Sequence, residues 1–138
     1  MSVLRFTGSM FLLTVFIAFS AFTKTSRKIV SGGGIASGNI RFNFNALSNK
    51  GSKTGNISYG TVSAPVECVA VSSSKKMATI YFSHCGSILG ITIVDGGEGK
   101  NASADLISDP FIVDEMNCAE VLPQDSYNTV TSGNILLK

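Results

Sequence analysis

The sequence predicts an all-β protein, a small antiparallel β-sandwich or barrel of about seven to nine strands preceded by one N-terminal signal helix. Only 14% of the residues are charged and 14 are glycine, a composition that favours strands and turns over helices. From residue 29 onward, apolar and polar residues alternate with a period of two, as in half-buried strands. Turn-forming residues recur every eight to twelve positions or so, which is the spacing of sandwiches and barrels.

The first residues predict a cleavable signal peptide. Arg5 supplies one positive charge ahead of the apolar run 10–19, which has the length of a signal-peptide core and is short for a membrane span. Small residues at Ala18 and Ser20 fit a signal-peptidase site, so we expect cleavage after Ser20. The predicted organisation is a signal peptide, a linker and one β-domain, over residues 1–20, 21–29 and 30–138.

An anchored form is the alternative for the same segment. A single transmembrane helix over residues 3–22 would place Arg5 in or beside the membrane, which counts against it. Lys24, Arg27 and Lys28 follow the apolar run, and such a cluster favours retention. We therefore expect a secreted protein, extracellular or periplasmic, that contacts a membrane only if this segment is retained.

Strands are predicted along the mature chain from residue 40 onward. The clearest is 40–46, where Phe42, Phe44 and Ala46 share one face and asparagines share the other. In 66–71 both faces are largely apolar, with Val66, Cys68 and Ala70 expected on one face. The other predicted strands begin at Ile57 or cover residues 77–82, 88–94, 104–108, 110–113 and 130–137, and residues 116–127 are expected to be irregular.

Two glycine-rich segments are predicted to form backbone features: a flexible segment or β-bulge in one case and a turn in the other. Residues 32–38 lack the Gly-Lys-Ser/Thr ending of a phosphate loop, so we expect a flexible lead-in segment or a β-bulge. Residues 95–101 form a predicted hairpin turn. Its oxygen-bearing side chains, those of Asp95, Glu98 and Asn101 with the nearby Asp105, also suit a hard cation such as calcium, but their spacing is not that of an EF-hand.

His84-Cys85 is the one pair from which nucleophilic catalysis could be built. A thiol nucleophile needs a base within hydrogen-bond reach, whereas adjacent residues of a strand point to opposite faces unless a turn intervenes. His84 is the only histidine, so a zinc site would have to recruit cysteines. We therefore predict no catalytic residues, no metal site and no cofactor.

The order of these signals carries a family resemblance. The motifs are Ser31-Gly32-Gly33-Gly34, the strand 40–46, the cysteine-bearing strand 66–71, the turn 93–99, Cys118 and the ending Ser132-Gly133-Asn134-Ile135. In this order they resemble a family of short secreted bacterial all-β domains of unassigned function. The resemblance implies an exported domain and brings no catalytic residues; the extra Cys85 and the end at Lys138 depart from its pattern.

The resemblance also bears on the three cysteines. In an exported protein two of them are expected to form a disulfide. Cys68 and Cys118 match the family pattern, and Cys68 with Cys85 remains the alternative. A bond between Cys68 and Cys118 would leave Cys85 as a thiol, either buried or available for an intermolecular bond.

The charge distribution bears on the class of partner. Residues 21–90 carry eight of the eleven Lys and Arg residues and one acidic residue, whereas 91–138 carry the other eight acidic residues. Since the halves of an antiparallel fold interleave, we expect these charges to neutralise one another and predict no nucleic-acid binding.

These observations predict a non-catalytic secreted β-domain, an accessory or partner-binding module that recognises an extracellular protein or a glycan. The alternative is a small β-barrel that holds an apolar ligand, since eight strands can enclose one. A membrane-anchored extracytoplasmic domain is the third hypothesis.

Overall fold

The structure of the protein, a computed structural model, describes residues 28–48 and 55–138. Within these residues no helix is long and apolar enough to cross a membrane. The predicted signal peptide and most of the predicted linker lie outside them. The described residues form nine strands: β1 (Lys28–Ala36), β2 (Ile40–Ser48), β3 (Gly55–Tyr59), β4 (Val62–Val71), β5 (Met77–His84), β6 (Ser87–Val94), β7 (Leu106–Ile107), β8 (Phe111–Val113) and β9 (Asn128–Leu137). The all-β prediction is confirmed.

The strands close into an antiparallel barrel. Going round it, the order is β5-β4-β3-β2-β1-β9-β7-β6, and pairing of β5 with β6 closes the circle of eight strands. Of the two predicted architectures, the barrel is therefore correct. Closure removes the open edges of a sheet, and β8 is the one described strand that stands outside the circle.

The irregular part of the barrel lies beside β6. Strand β7 pairs with the last residues of β6 and β8 pairs with its first residues, both along the same edge. Strand β9 then pairs with β7 at its start and with β1 along most of its length. Between β8 and β9, residues 114–127 contain no strand or helix, as predicted for 116–127; we call them the strap.

The barrel interior is packed with side chains from all eight of its strands. The predicted inward face of β2 is confirmed, since Phe42, Phe44 and Ala46 are buried and belong to the core. The rings of Phe42 and Phe44 stack with their centroids 6.1 Å apart. The other large core side chains are Val30, Ile57, Tyr59, Val66, Val69, Ile80, Phe82, Ile91, Ile93, Ile107 and Ile135.

The predicted alternation in β4 is wrong after Val66. Its pairing with β5 shifts register between Val66 and Cys68, and such a bulge inserts one residue and exchanges the two faces beyond it. Val66 and Val69 therefore face the core, whereas Cys68 and Ala70 lie on the outside.

The glycine-rich start is a strand, so the prediction of a flexible lead-in segment is wrong. Gly34 pairs with Gly133 of β9, and the alternative prediction of a β-bulge within residues 32–38 is confirmed by a register shift between Ile35 and Ala36. A Cβ on Gly34 would lie 1.9 Å from Ser132 O, and one on Gly133 would lie 2.0 Å from Gly33 O. Both positions also have positive φ, so only glycine lets β1 and β9 approach this closely.

Candidate functional site

Strand β8 presents an open edge at Ile112. It pairs with β6 on one side only. The main-chain groups of Thr92 point to this side of β6, since Ser108 N–H donates to Thr92 O at 2.9 Å. Because bonding direction alternates along a strand, Phe111 and Val113 bond to β6 while the N–H and C=O of Ile112 point away. No described residue bonds these groups, and the Ile112 side chain is 76% exposed.

The surroundings of this edge are acidic. Asp109 precedes β8, Asp114 and Glu115 follow it, and all three are exposed. Several lysines lie too far along the barrel axis to neutralise the acidic residues beside β8. Those lysines lie at the opposite end, in the connections that follow β4 and β6: Lys75, Lys76 and Lys100.

A polar cluster ties β3, the connection before β8 and the start of β9 together near this edge. Tyr59 donates its hydroxyl proton to Asp109 Oδ1 at 2.5 Å. Asn128 Nδ2 donates to the Tyr59 hydroxyl and to the same carboxylate oxygen, each at 2.8 Å. Burial raises the pKa of Tyr59 well above its usual range, and the bond to Asp109 and the charge of that carboxylate add to this effect. The cluster therefore contains a neutral phenol that positions the connection leading into β8.

The β5–β6 hairpin ends in the predicted His84-Cys85 pair. Cys85 and Gly86 form its two-residue tip, and both have positive φ, as in a type I′ turn. Cys85 is an exposed free thiol, and no described hydrogen bond joins it to His84. The turn that nucleophilic catalysis would require is thus present, but the base-to-thiol contact is not part of the described geometry.

A disulfide fastens the strap to the barrel. Cys68 of β4 is bonded to Cys118, with Cα atoms 5.7 Å apart, so the pairing implied by the family resemblance is confirmed. Cys68 lies on the outward side of the sheet formed by β4, β5 and β6. We call this side the outer face; it consists of Cys68, Ala70, Thr79, Tyr81, Gly90 and Thr92.

The outer face bonds the main chain of the strap. Leu122 N–H donates to Thr79 Oγ1 at 2.9 Å, and Thr92 Oγ1 donates to Leu122 O at 2.6 Å. The two threonine hydroxyls are 2.8 Å apart; since Thr92 uses its proton on Leu122, Thr79 is the donor between them. Tyr81 donates its hydroxyl proton to Glu120 O at 2.6 Å. Burial raises the pKa of Tyr81, as does the negative charge of Glu120.

Two aspartates of the predicted oxygen-rich loop, Asp95 and Asp105, accept hydrogen bonds from backbone N–H groups of β9. Asp105 is buried, and its carboxylate accepts from Gly96 N–H and from Ile135 N–H, both at 2.8 Å. Asp95 accepts from Gly97 N–H at 2.8 Å and from Leu137 N–H at 3.2 Å. Since β7 is too short to pair with this part of β9, the two carboxylates complete the barrel here. Among the described residues no group of three or more His, Cys, Asp or Glu side chains could hold a metal ion.

The sequence did not predict that Ile112 forms an open edge or that Thr79 and Thr92 bond the strap. A signal for the first was present: a three-residue apolar strand that follows Pro110 and precedes acidic residues is typical of an edge strand. No such signal exists for the threonines, because their partner, Leu122, is about thirty or more residues away along the chain.

No family model, curated protein or solved structure matches the chain. The resemblance drawn from its motifs therefore stays a prediction, and function has to be argued from the site itself.

Proposed function

We propose that the protein is a non-catalytic secreted β-domain that binds a protein partner through the open edge of β8. The observation that carries the proposal is Ile112, which offers an outward N–H, an outward C=O and an exposed apolar side chain at one position. Binding by strand addition uses these features: main-chain bonds supply affinity, and side-chain contacts supply specificity.

The surroundings of the edge define the partner. An added segment would be extended, would place an apolar side chain beside Ile112, and would carry basic residues opposite Asp114 and Glu115. Opposite charges across an interface increase the rate of association and exclude partners of the wrong sign. We therefore favour a protein with a basic extended segment over a glycan.

The second candidate is a barrel that holds an apolar ligand. Closure by eight strands favours it, because barrels of this size can enclose one small molecule. Against it, the inward side chains of β2, β5 and β6 already pack against one another in the interior. We therefore rank it below partner binding.

An extracellular or periplasmic location is part of the proposal. The Cys68–Cys118 disulfide is compatible with export, since such bonds persist in oxidising compartments. The membrane-anchored form stays the third hypothesis; it depends on a helix over residues 3–22, which lie outside the described part of the chain.

Site-specific photo-cross-linking in the source cells tests the proposal. A photoreactive amino acid replaces Ile112 in one variant and Ser73, an exposed residue at the opposite end of the barrel, in a matched control. We expect one defined cross-linked protein from position 112 and none from position 73. Equal products from both positions, or none from position 112, would contradict the proposal.

A further inference from the structure

We propose that the outer face is a second binding site, which takes an extended polypeptide segment and is closed by the strap while Cys68 and Cys118 are bonded. It is distinct from the outward edge of β8 at Ile112, and the inference does not rest on the function proposed above. The strap is its resident occupant, so the structure already contains one segment bound in the way we propose.

The site bonds main chain rather than side chains. Its three hydroxyls, on Thr79, Tyr81 and Thr92, bond the C=O of Glu120 and both the N–H and the C=O of Leu122. Any polypeptide without proline at position i+2 has these groups at positions i and i+2, so another extended segment can satisfy the same bonds. Recognition of main-chain groups is the general basis for binding extended peptides of varied sequence.

The outer face is suited to being uncovered. Thr79, Tyr81 and Thr92 are fully buried beneath the strap, yet each presents a hydroxyl that water can bond once the strap leaves. Exposing a covered apolar surface to water would cost far more free energy, because burial of apolar surface is the main driving force for association. The three hydroxyls therefore lower the free-energy cost of an open state, in which Ala70 and the ring of Tyr81 are exposed together with them.

The strap buries little of its own side-chain surface. None of its residues is buried, and Cys118 and Glu120 are exposed. Segments with few buried apolar contacts and no regular structure are those that open locally. Apart from chain connectivity, the disulfide is the one covalent restraint on the strap, and it holds the strap at short range above the outer face.

Cys118 is exposed and Cys68 half-buried, so a reductant can approach their bond from the strap side. Reduction by a dithiol transfers two electrons and two protons to the Cys68–Cys118 bond. The products are two thiols on the protein and one disulfide in the former dithiol. The strap is then free to leave the outer face. The barrel stays closed, because the strap contains no strand of the sheet.

Amide hydrogen exchange on the mature protein tests the release of the strap, with Cys85 first blocked by alkylation. On reduction we expect the Leu122 amide to exchange at least tenfold faster, while the amides of Ile91 and Ile93 in β6 keep their protection. Unchanged protection of Leu122 would overturn the proposal. Loss of protection at Leu122 and in β6 together would also overturn it, because the barrel would then be unfolding as a whole.

A labelled peptide tests the site directly. It covers residues 116–124 of the strap with serine in place of Cys118, and we expect saturable binding to the reduced protein and none to the oxidised protein. The matched variant Thr79→Val/Thr92→Val keeps the shape of the face and should weaken binding at least tenfold. Ile112→Asp, which alters only the edge of β8, should leave peptide binding unchanged. Binding that ignores the redox state or survives the valine substitutions would overturn the proposal, whatever the outcome at Ile112.

Discussion

Replacement of Asp105 by alanine should destabilise the barrel more than an ordinary loop substitution. The carboxylate of Asp105 is buried and accepts hydrogen bonds from Gly96 N–H and Ile135 N–H, both at 2.8 Å. It connects the loop after β6 to β9 where β7 is too short to do so. Asp105→Ala removes both bonds at once and leaves the buried Ile135 N–H without its acceptor.

The expected loss follows from these two bonds. A hydrogen bond to a charged group contributes about 1.5–3 kcal/mol, and an unpaired buried donor has a cost of similar size. Removal of a buried charge recovers part of its desolvation penalty. We therefore expect Asp105→Ala to lower the free energy of unfolding by about 3–5 kcal/mol, a large share of the roughly 5–15 kcal/mol of a typical domain.

Urea-induced unfolding of the mature protein, with the disulfide intact, measures this loss. Asp105→Asn keeps the shape and one acceptor oxygen but turns an NH₂ group toward the other amide, so about half of the loss should remain. Glu98→Ala is the matched control, because Glu98 lies exposed in the same loop and should change stability by less than about 0.5 kcal/mol. A loss below about 1 kcal/mol for Asp105→Ala, with an unchanged urea dependence, would refute the structural role of this carboxylate.

Four further predictions follow from other parts of the barrel. From pH 8 to about 10 the contribution of Tyr59 to stability should be constant, and above about 10 stability should fall, because Tyr59 ionises in the unfolded chain while its folded pKa is raised; urea unfolding from pH 8 to 11 measures this. Cys68→Ser/Cys118→Ser should lower the free energy of unfolding by about 4 kcal/mol in the chain-entropy model, since the bonded residues are 50 apart in sequence. Gly133→Ala should unfold or severely destabilise the domain, because its Cβ would lie 2.0 Å from a backbone oxygen; thermal unfolding checks this. Cys85→Asn should stabilise the hairpin by several tenths of a kcal/mol, since asparagine tolerates positive φ at a type I′ tip.

Each of these predictions has a control and a contradicting outcome. The pH dependence should weaken in Tyr59→Phe, and an undiminished dependence would assign it to other groups. Mass spectrometry after alkylation should find one modified thiol, at Cys85, in the untreated protein; modification of Cys68 or Cys118 would contradict the pairing. Gly97→Ala, where a Cβ meets nothing within 4 Å, tests positive φ without the steric clash, and an equal loss there would refute the close-approach argument. A destabilised Cys85→Asn would contradict the turn assignment.

The sequence predicted those strands whose side chains face two different environments. In β2, alternation of Phe42 and Phe44 with asparagines identifies both the strand and its inward face. Strand β1 was missed because its glycines carry no side chain to alternate. These glycines allow close packing between strands. A Cβ on Gly32 would lie 2.6 Å from the ring of Phe44, so this ring occupies the space that a side chain on β1 would need.

The candidate sites were harder to predict because their partners are distant in sequence. Asp105 was identified as part of an oxygen-rich loop, but its acceptor role toward Ile135 depends on barrel closure between residues 30 positions apart. Cys68 and Cys118 were paired through a family resemblance, not through geometry. The bulge before Cys68, which turns its side chain toward the strap, leaves no mark in an apolar run such as 66–71.

Hydrogen exchange at the Ile112 amide is the most direct test of partner binding at β8. In the isolated protein this amide should exchange freely, whereas those of Phe111 and Val113 should be protected by their bonds to β6. In complex with the protein cross-linked from position 112, the Ile112 amide should become protected. An Ile112 amide that is already protected in the isolated protein, or that still exchanges freely in the complex, would contradict binding by strand addition.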